Sequence, residues 1–108
     1  MSYDVHVTDR AAQQLESAAR WWAEHRSAEQ ATRWYDGFID AIRGLAEAPD
    51  RCAFTRENGR FPYKIRQLVY GLGRRRTHRA VFTICRDMVV VLAIRHLAQR
   101  DLGPEDLP

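Results

Sequence analysis

Residues 79–94 read RAVFTICRDMVVVLAI, and this stretch decides the fold. From Arg79 to Cys85, Val81 and Thr83 fall on one side of an extended chain, with Ala80, Phe82 and Ile84 on the other. From Met88 to Ile94 the run is almost continuously apolar, as expected of a strand buried on both faces at the centre of a sheet. Arg86-Asp87 between them is a tight turn. Two apolar strands joined this closely predict an antiparallel hairpin, which needs further strands beside it and a cover over its faces.

Upstream, Ile65–Tyr70 is a third strand-like segment, separated from the hairpin by an arginine-laden turn over Gly71–Thr77. Residues 50–62 carry Gly59, Pro62 and few aliphatics and read as a loop. Before Pro49 the period changes to helical. Ser27 followed by Gln30 is a capping-box pattern that opens a helix with the stripe Ala31, Trp34, Tyr35, Phe38, Ile42 and Leu45, stopped by Pro49. An earlier helix carries Ala11, Leu15, Ala18, Ala19 and Trp22, is capped by Thr8 or Asp9, and lasts to about His25. Tyr3–Val7 alternates as a short strand with Tyr3, Val5 and Val7 on one face. The reading is an α+β fold of order β-α-α-β-β-β, one domain over residues 1–108, with a two-helix hairpin packed on a curved, mainly antiparallel sheet. Trp22, Trp34, Tyr35 and Phe38 are assigned to the core, Trp21 to the surface, and Gln99–Pro108 to a tail that frays or forms a short cap.

The composition, 45% hydrophobic and 29% charged, excludes disordered, collagen-like and membrane-spanning classes. The formal charge of +3 conceals a segregation. Residues 1–50 sum to −4, residues 51–79 to +8 with Glu57 as the only acid, and residues 80–108 to −1. A basic middle segment of this strength points to a polyanion or an acidic protein as partner. Cys52 and Cys85 are expected to be free, with Cys85 a small buried hydrophobe. His6, His25, His78 and His96 lack metal-ligand spacing, so neither metal nor cofactor is expected. The N-terminus has no basic-then-apolar signal, which implies a cytoplasmic protein with no membrane partner.

Over Val5 to about Leu102 the chain resembles the RelE/ParE superfamily of type II toxin–antitoxin toxins. The resemblance is carried by Val5-His6-Val7-Thr8-Asp9-Arg10-Ala11, Leu45-Ala46-Glu47-Ala48-Pro49, Tyr63-Lys64-Ile65-Arg66-Gln67-Leu68, His78-Arg79-Ala80-Val81-Phe82-Thr83-Ile84 and Val89-Val90-Val91-Leu92-Ala93-Ile94-Arg95-His96. It implies a growth-inhibiting toxin neutralised by an acidic antitoxin protein. One branch of the superfamily cleaves messenger RNA in the ribosomal A site without metal or cofactor, and another poisons DNA gyrase without known catalytic residues. The expectation taken here is ribosome-dependent cleavage of mRNA; the alternatives are a gyrase poison, or a degenerate member that keeps only antitoxin binding.

Metal-free cleavage needs a base for the 2′-hydroxyl, cations for the pentavalent phosphate and an acid for the leaving oxygen. Lys64 and Arg66, two apart, share a face, and Arg79 on the neighbouring strand points to the same groove in this reading. These three match basic positions of the RNA-cleaving branch. After the last strand, Leu97 stands close to where those enzymes carry an arginine, and no tyrosine follows Tyr70. Arg95 and His96 lie near enough to substitute, His96 as acid or base and Arg95 as phosphate ligand, unless they merely end a strand at the solvent. The candidate catalytic set is therefore Lys64, Arg66, Arg79 and His96, with Arg74, Arg75, Arg76 and Arg95 as phosphate or RNA contacts. His78 is read as a turn residue, and His6 and His25 as structural or solvent-facing.

Overall fold

A computed structural model describes residues 2–108. Strand β1 (Asp4–Val7) leads through Thr8, whose hydroxyl accepts the Ala11 amide, into helix α1 (Asp9–His25). Ser27 caps helix α2 (Ala28–Arg43) in the same way through the Gln30 amide at 3.0 Å. The chain then forms strands β2 (Arg66–Tyr70), β3 (His78–Cys85) and β4 (Met88–His96). The sheet order is β1-β4-β3-β2. β2–β3 and β3–β4 are antiparallel and β1–β4 is parallel, so the sheet is mixed, with the two most apolar strands inside.

The helical hairpin covers one face. Leu15, Trp34, Phe38 and Ile42 bury themselves against Ala80, Phe82, Val89, Val91 and Ile94, with Trp22 and Tyr35 partly buried around them. Each large aromatic here contributes a few kcal/mol; truncating Phe38 to alanine would cost about 3–5 kcal/mol. A second, smaller core lies on the opposite face, where Ile65, Val81, Leu92 and Ala93 meet Leu102 and Leu107. The C-terminal segment is thus a fastened cap over that face. Arg100 pairs with Asp106 and Glu105, and Arg10 donates to the carbonyls of Glu105 and Asp106.

Several expectations change. α2 ends at Arg43, ahead of Pro49, because the Gly44 amide turns back to the Asp40 and Ile42 carbonyls and tightens the chain into a 3-10 turn that still buries Leu45. Ala48 then reverses direction at φ 48°, and Pro49 heads a second short turn. Lys64 lies before β2, outside any strand. His78 begins β3 and is buried. Cys85, at the turn end of the β3–β4 hairpin, is exposed, since its partner across the ladder is Met88 at the solvent-facing turn. Both cysteines are free.

Candidate functional site

One irregularity in β4 places the site. Val81 pairs with Ala93 but Phe82 with Val91, so Leu92 is an extra residue, a β-bulge. Leu92 and Ala93 consequently both face the second core, and the alternation beyond them is inverted. Ile94 returns to the helix side, Arg95 goes to the far face opposite Arg79, and His96 emerges beside His78 at the helix side. Without the bulge, Arg95 and His96 would exchange faces.

His96 opens into a groove of about 940 Å³ between α1 and the ends of β3 and β4, closed on one side by the arginine turn. Its walls carry Arg10, Arg26, Arg75 and Arg76 with His78 and His96, and no carboxylate. The floor is aromatic and aliphatic: Trp21, Trp22, Ala18 and Ile94. Helix α1 presents Arg10, Gln14, Ser17 and Trp21 to it, a stripe at helical spacing. β1 ends at Val7, opposite Val91, so the Ile94 amide has no strand partner there and donates instead to Gln14 Oε1 at 2.8 Å.

The arginine turn is held by its own backbone. A Cβ on Gly71 would sit 1.7 Å from the Arg75 carbonyl oxygen, Gly73 takes φ +74°, and the Arg76 guanidinium donates to the Val69 carbonyl at 3.0 Å. Among the described residues, the Arg74, Arg75 and Arg26 side chains meet no hydrogen-bond or ion-pair partner. His78 packs its ring edge-on against Trp34 at 4.9 Å and lies 5.0 Å from the His96 ring. Burial, helped by the neighbouring His96, pushes the His78 imidazole down to about 4, so it is neutral at pH 7. His96 Nδ1 accepts the Ala98 amide at 3.0 Å, which leaves its Nε2 as the hydrogen-bonding atom available to a ligand.

The other expected site residues do not converge on this groove. Arg79 is on the far face, with its guanidinium bidentate on Glu57 at 3.0 and 2.6 Å and a further bond to Gln67. Both side chains of the pair are buried, 4% and 0% exposed. Burial would raise the Glu57 carboxyl, but the Arg79 hydrogen bonds, the Leu102 amide and the Arg79 charge outweigh it and hold it at about 2. Arg95 lies beside this pair, buried, donating to the Arg100 carbonyl. Arg66 shares the Leu68 and Tyr70 side of β2, opposite Arg79; it donates to the Asp50 and Cys52 carbonyls and covers the Phe54 ring at 4.0 Å. Lys64 is exposed and is not part of the groove lining. The single groove expected for Lys64, Arg66 and Arg79 is thus replaced by two faces. The structure instead joins His96, Arg75 and Arg76 with Trp21, which the sequence reading had set on the surface, and with Arg10 and Arg26, which it passed over although the Arg10–Gln14–Ser17–Trp21 spacing marks one helix face.

Among the described residues no three histidine, cysteine or acidic side chains gather as a metal site, and no helix is long and apolar enough to cross a membrane.

A family model described as the ParE toxin of the type II toxin–antitoxin system parDE matches residues 5–101. A solved structure, the chromosomal ParDE toxin–antitoxin system from P. aeruginosa, is similar with a TM-score of 0.70 over 88% of this chain and 96% of that one, at 19% identity. The likeness at that identity is one of fold. No match was found among curated proteins.

Proposed function

The chain belongs to the ParE toxin family of type II toxin–antitoxin systems, and from that premise we propose that it arrests growth by binding DNA gyrase, without cleaving RNA. The observation that carries this reading is the Arg79–Glu57 pair. A ribonuclease needs a base, a phosphate clamp and an acid within hydrogen-bond reach of one phosphodiester. Here the strongest clamp candidate is closed on a carboxylate beneath the C-terminal cap, on the face of the sheet away from His96. Arg66 serves two loop carbonyls, and Lys64 is exposed ahead of β2, off the groove lining. What remains accessible is a cationic groove suited to holding a partner. The match to the ParE family model speaks in the same direction.

The cognate antitoxin is an acidic protein, in keeping with the net positive charge of this chain. Purified protein should inhibit supercoiling by gyrase, and addition of the antitoxin should restore it. Mapping of RNA 5′ ends after induced expression should show no new cuts in translated messages. Normal supercoiling at saturating toxin, together with new A-site ends, would return the protein to the ribosome-dependent branch.

A further inference from the structure

We propose that the groove between α1 and the Gly71–Thr77 turn is a binding site for a single nucleic-acid strand, with a base stacked on Trp21 and phosphates on Arg26, Arg75 and Arg76. This goes beyond the reading above, since it requires no gyrase. Three features on different elements converge.

The first is charge without counter-charge. Four arginines line the groove and no acidic residue does, in a chain whose acids equal most of its bases overall. Arg26 ends α1, while Arg75 and Arg76 come from the β2–β3 connection, so the cations stand on opposite walls as a backbone track requires.

The second is an aromatic platform built before any ligand arrives. Trp21 is 49% exposed, and its ring lies on the His25 imidazole with centroids 4.5 Å apart and planes 14° from parallel. His25 is itself fixed, its Nδ1–H donating to the Trp21 carbonyl at 2.9 Å. A surface tryptophan stiffened this way loses little freedom on stacking a base, and base–aromatic stacking is tolerant of sequence. An acidic peptide would use the arginines but has no need of a planar platform; that difference selects a nucleic acid over an acidic protein segment.

The third is a hydrogen-bonding group on the wall. His96 offers a free Nε2 beside the cations, and the size of the groove, about 940 Å³, lies at the upper end of ligand pockets, open enough for a strand to pass through.

The test uses the purified full chain and fluorescein-labelled oligo(dT) and oligo(rU) of about twelve nucleotides, followed by anisotropy between about 50 and 200 mM salt. Three neutralised phosphates give a slope of log K against log salt of about −2, falling to about −0.7 in Arg75→Ala/Arg76→Ala. Trp21→Ala should weaken binding by about fivefold to a hundredfold with the slope unchanged, and Trp21→Phe should recover most of it. All of these side chains are exposed, and circular dichroism melts matching the parent establish that each variant is folded. Tighter binding of oligo(dT) assigns the strand to DNA, and tighter binding of oligo(rU) to RNA. The proposal is overturned if neither oligonucleotide binds at the lowest salt, or if folded Trp21→Ala binds as tightly as the parent. It is equally overturned if a polyglutamate peptide displaces the strand and itself binds more tightly, which would make the groove an acidic-protein site.

Discussion

Arg79→Ala should unfold much of the molecule's stability margin, and the size of the effect follows from the pair it breaks. The guanidinium and the Glu57 carboxylate are 4% and 0% exposed and joined by two hydrogen bonds. Removing the cation leaves a buried carboxylate with the Leu102 amide as its remaining strong donor, at a cost of about 3–5 kcal/mol. Linkage points to the same scale. The carboxyl sits at about 2 in the fold against 4.5 ordinarily, a difference of about 3 kcal/mol. That contribution is complete above pH 4.5 and is lost as the pH falls toward 2, because the depressed carboxyl must then take up a proton. A chain of 108 residues carries about 5–16 kcal/mol in all. The variant should therefore melt about 12–20 °C below the parent at pH 7. Arg79→Met/Glu57→Met removes both charges and should recover most of this, short by about 1–3 kcal/mol for the Leu102 amide left unpaired. Calorimetry of the three proteins, beside growth arrest on induction, separates structure from chemistry. A folded, toxic double variant is the expected result. Arg79→Ala melting within about 3 °C of the parent while losing toxicity would refute the argument and restore Arg79 as a phosphate ligand.

Three further outcomes are expected. His78 is neutral in the fold, at about 4 against 6.5, so its contribution is complete above pH 6.5 and is lost as pH falls toward 4; stability should drop by about 2 kcal/mol between pH 7.5 and 5, a slope that His78→Phe abolishes, as pH-dependent denaturant titrations would show. Gly71→Ala drives a Cβ to 1.7 Å from the Arg75 carbonyl oxygen and should cost at least about 1–3 kcal/mol, whereas an unchanged melting temperature would mean the turn closes differently. Thiol titration of the native protein should count two free cysteines, a fast Cys85 and a slow Cys52, the latter half-buried and with its thiol pushed up by burial; a single phase of equal rates would contradict their placement.

The helices were legible because their signals are local. Thr8 and Ser27 cap where side-chain oxygens precede apolar periodicity, and the predicted stripes are the ones buried. The strands were legible as elements for the same reason, and the β-α-α-β-β-β order followed. The faces of the last strand were not. Val89–Ile94 is apolar at every position, so it carries no alternation from which the Leu92 bulge could be seen, and the bulge alone decides that His96 meets His78 while Arg95 meets Arg79. The cap was hidden differently, since Leu102 and Leu107 have no periodic partners in a polar tail and are buried by a tertiary contact with Glu57 at its centre. Glu57 had in fact stood out as the lone acid among nine cations in residues 51–79, and an isolated carboxylate in such company is better read as the partner of a buried guanidinium than as noise.

That correction alters what the +8 segment means. Arg79 closes on Glu57, Arg56 and Arg60 on Asp101, Arg66 on the Asp50 and Cys52 carbonyls and Arg76 on the Val69 carbonyl, so five of its nine cations tie loops to the sheet or to the C-terminal cap. A guanidinium is well suited to such work because its fork satisfies several acceptors at once while remaining charged. The charge left for a partner is set by which arginines lack an acceptor. By that criterion the working surface moves from the strands, where the cations are densest along the sequence, to Arg74 and Arg75 in the Gly71–Thr77 turn, and it recruits Arg26 from the acidic half of the chain, where a charge count by segment would never have looked.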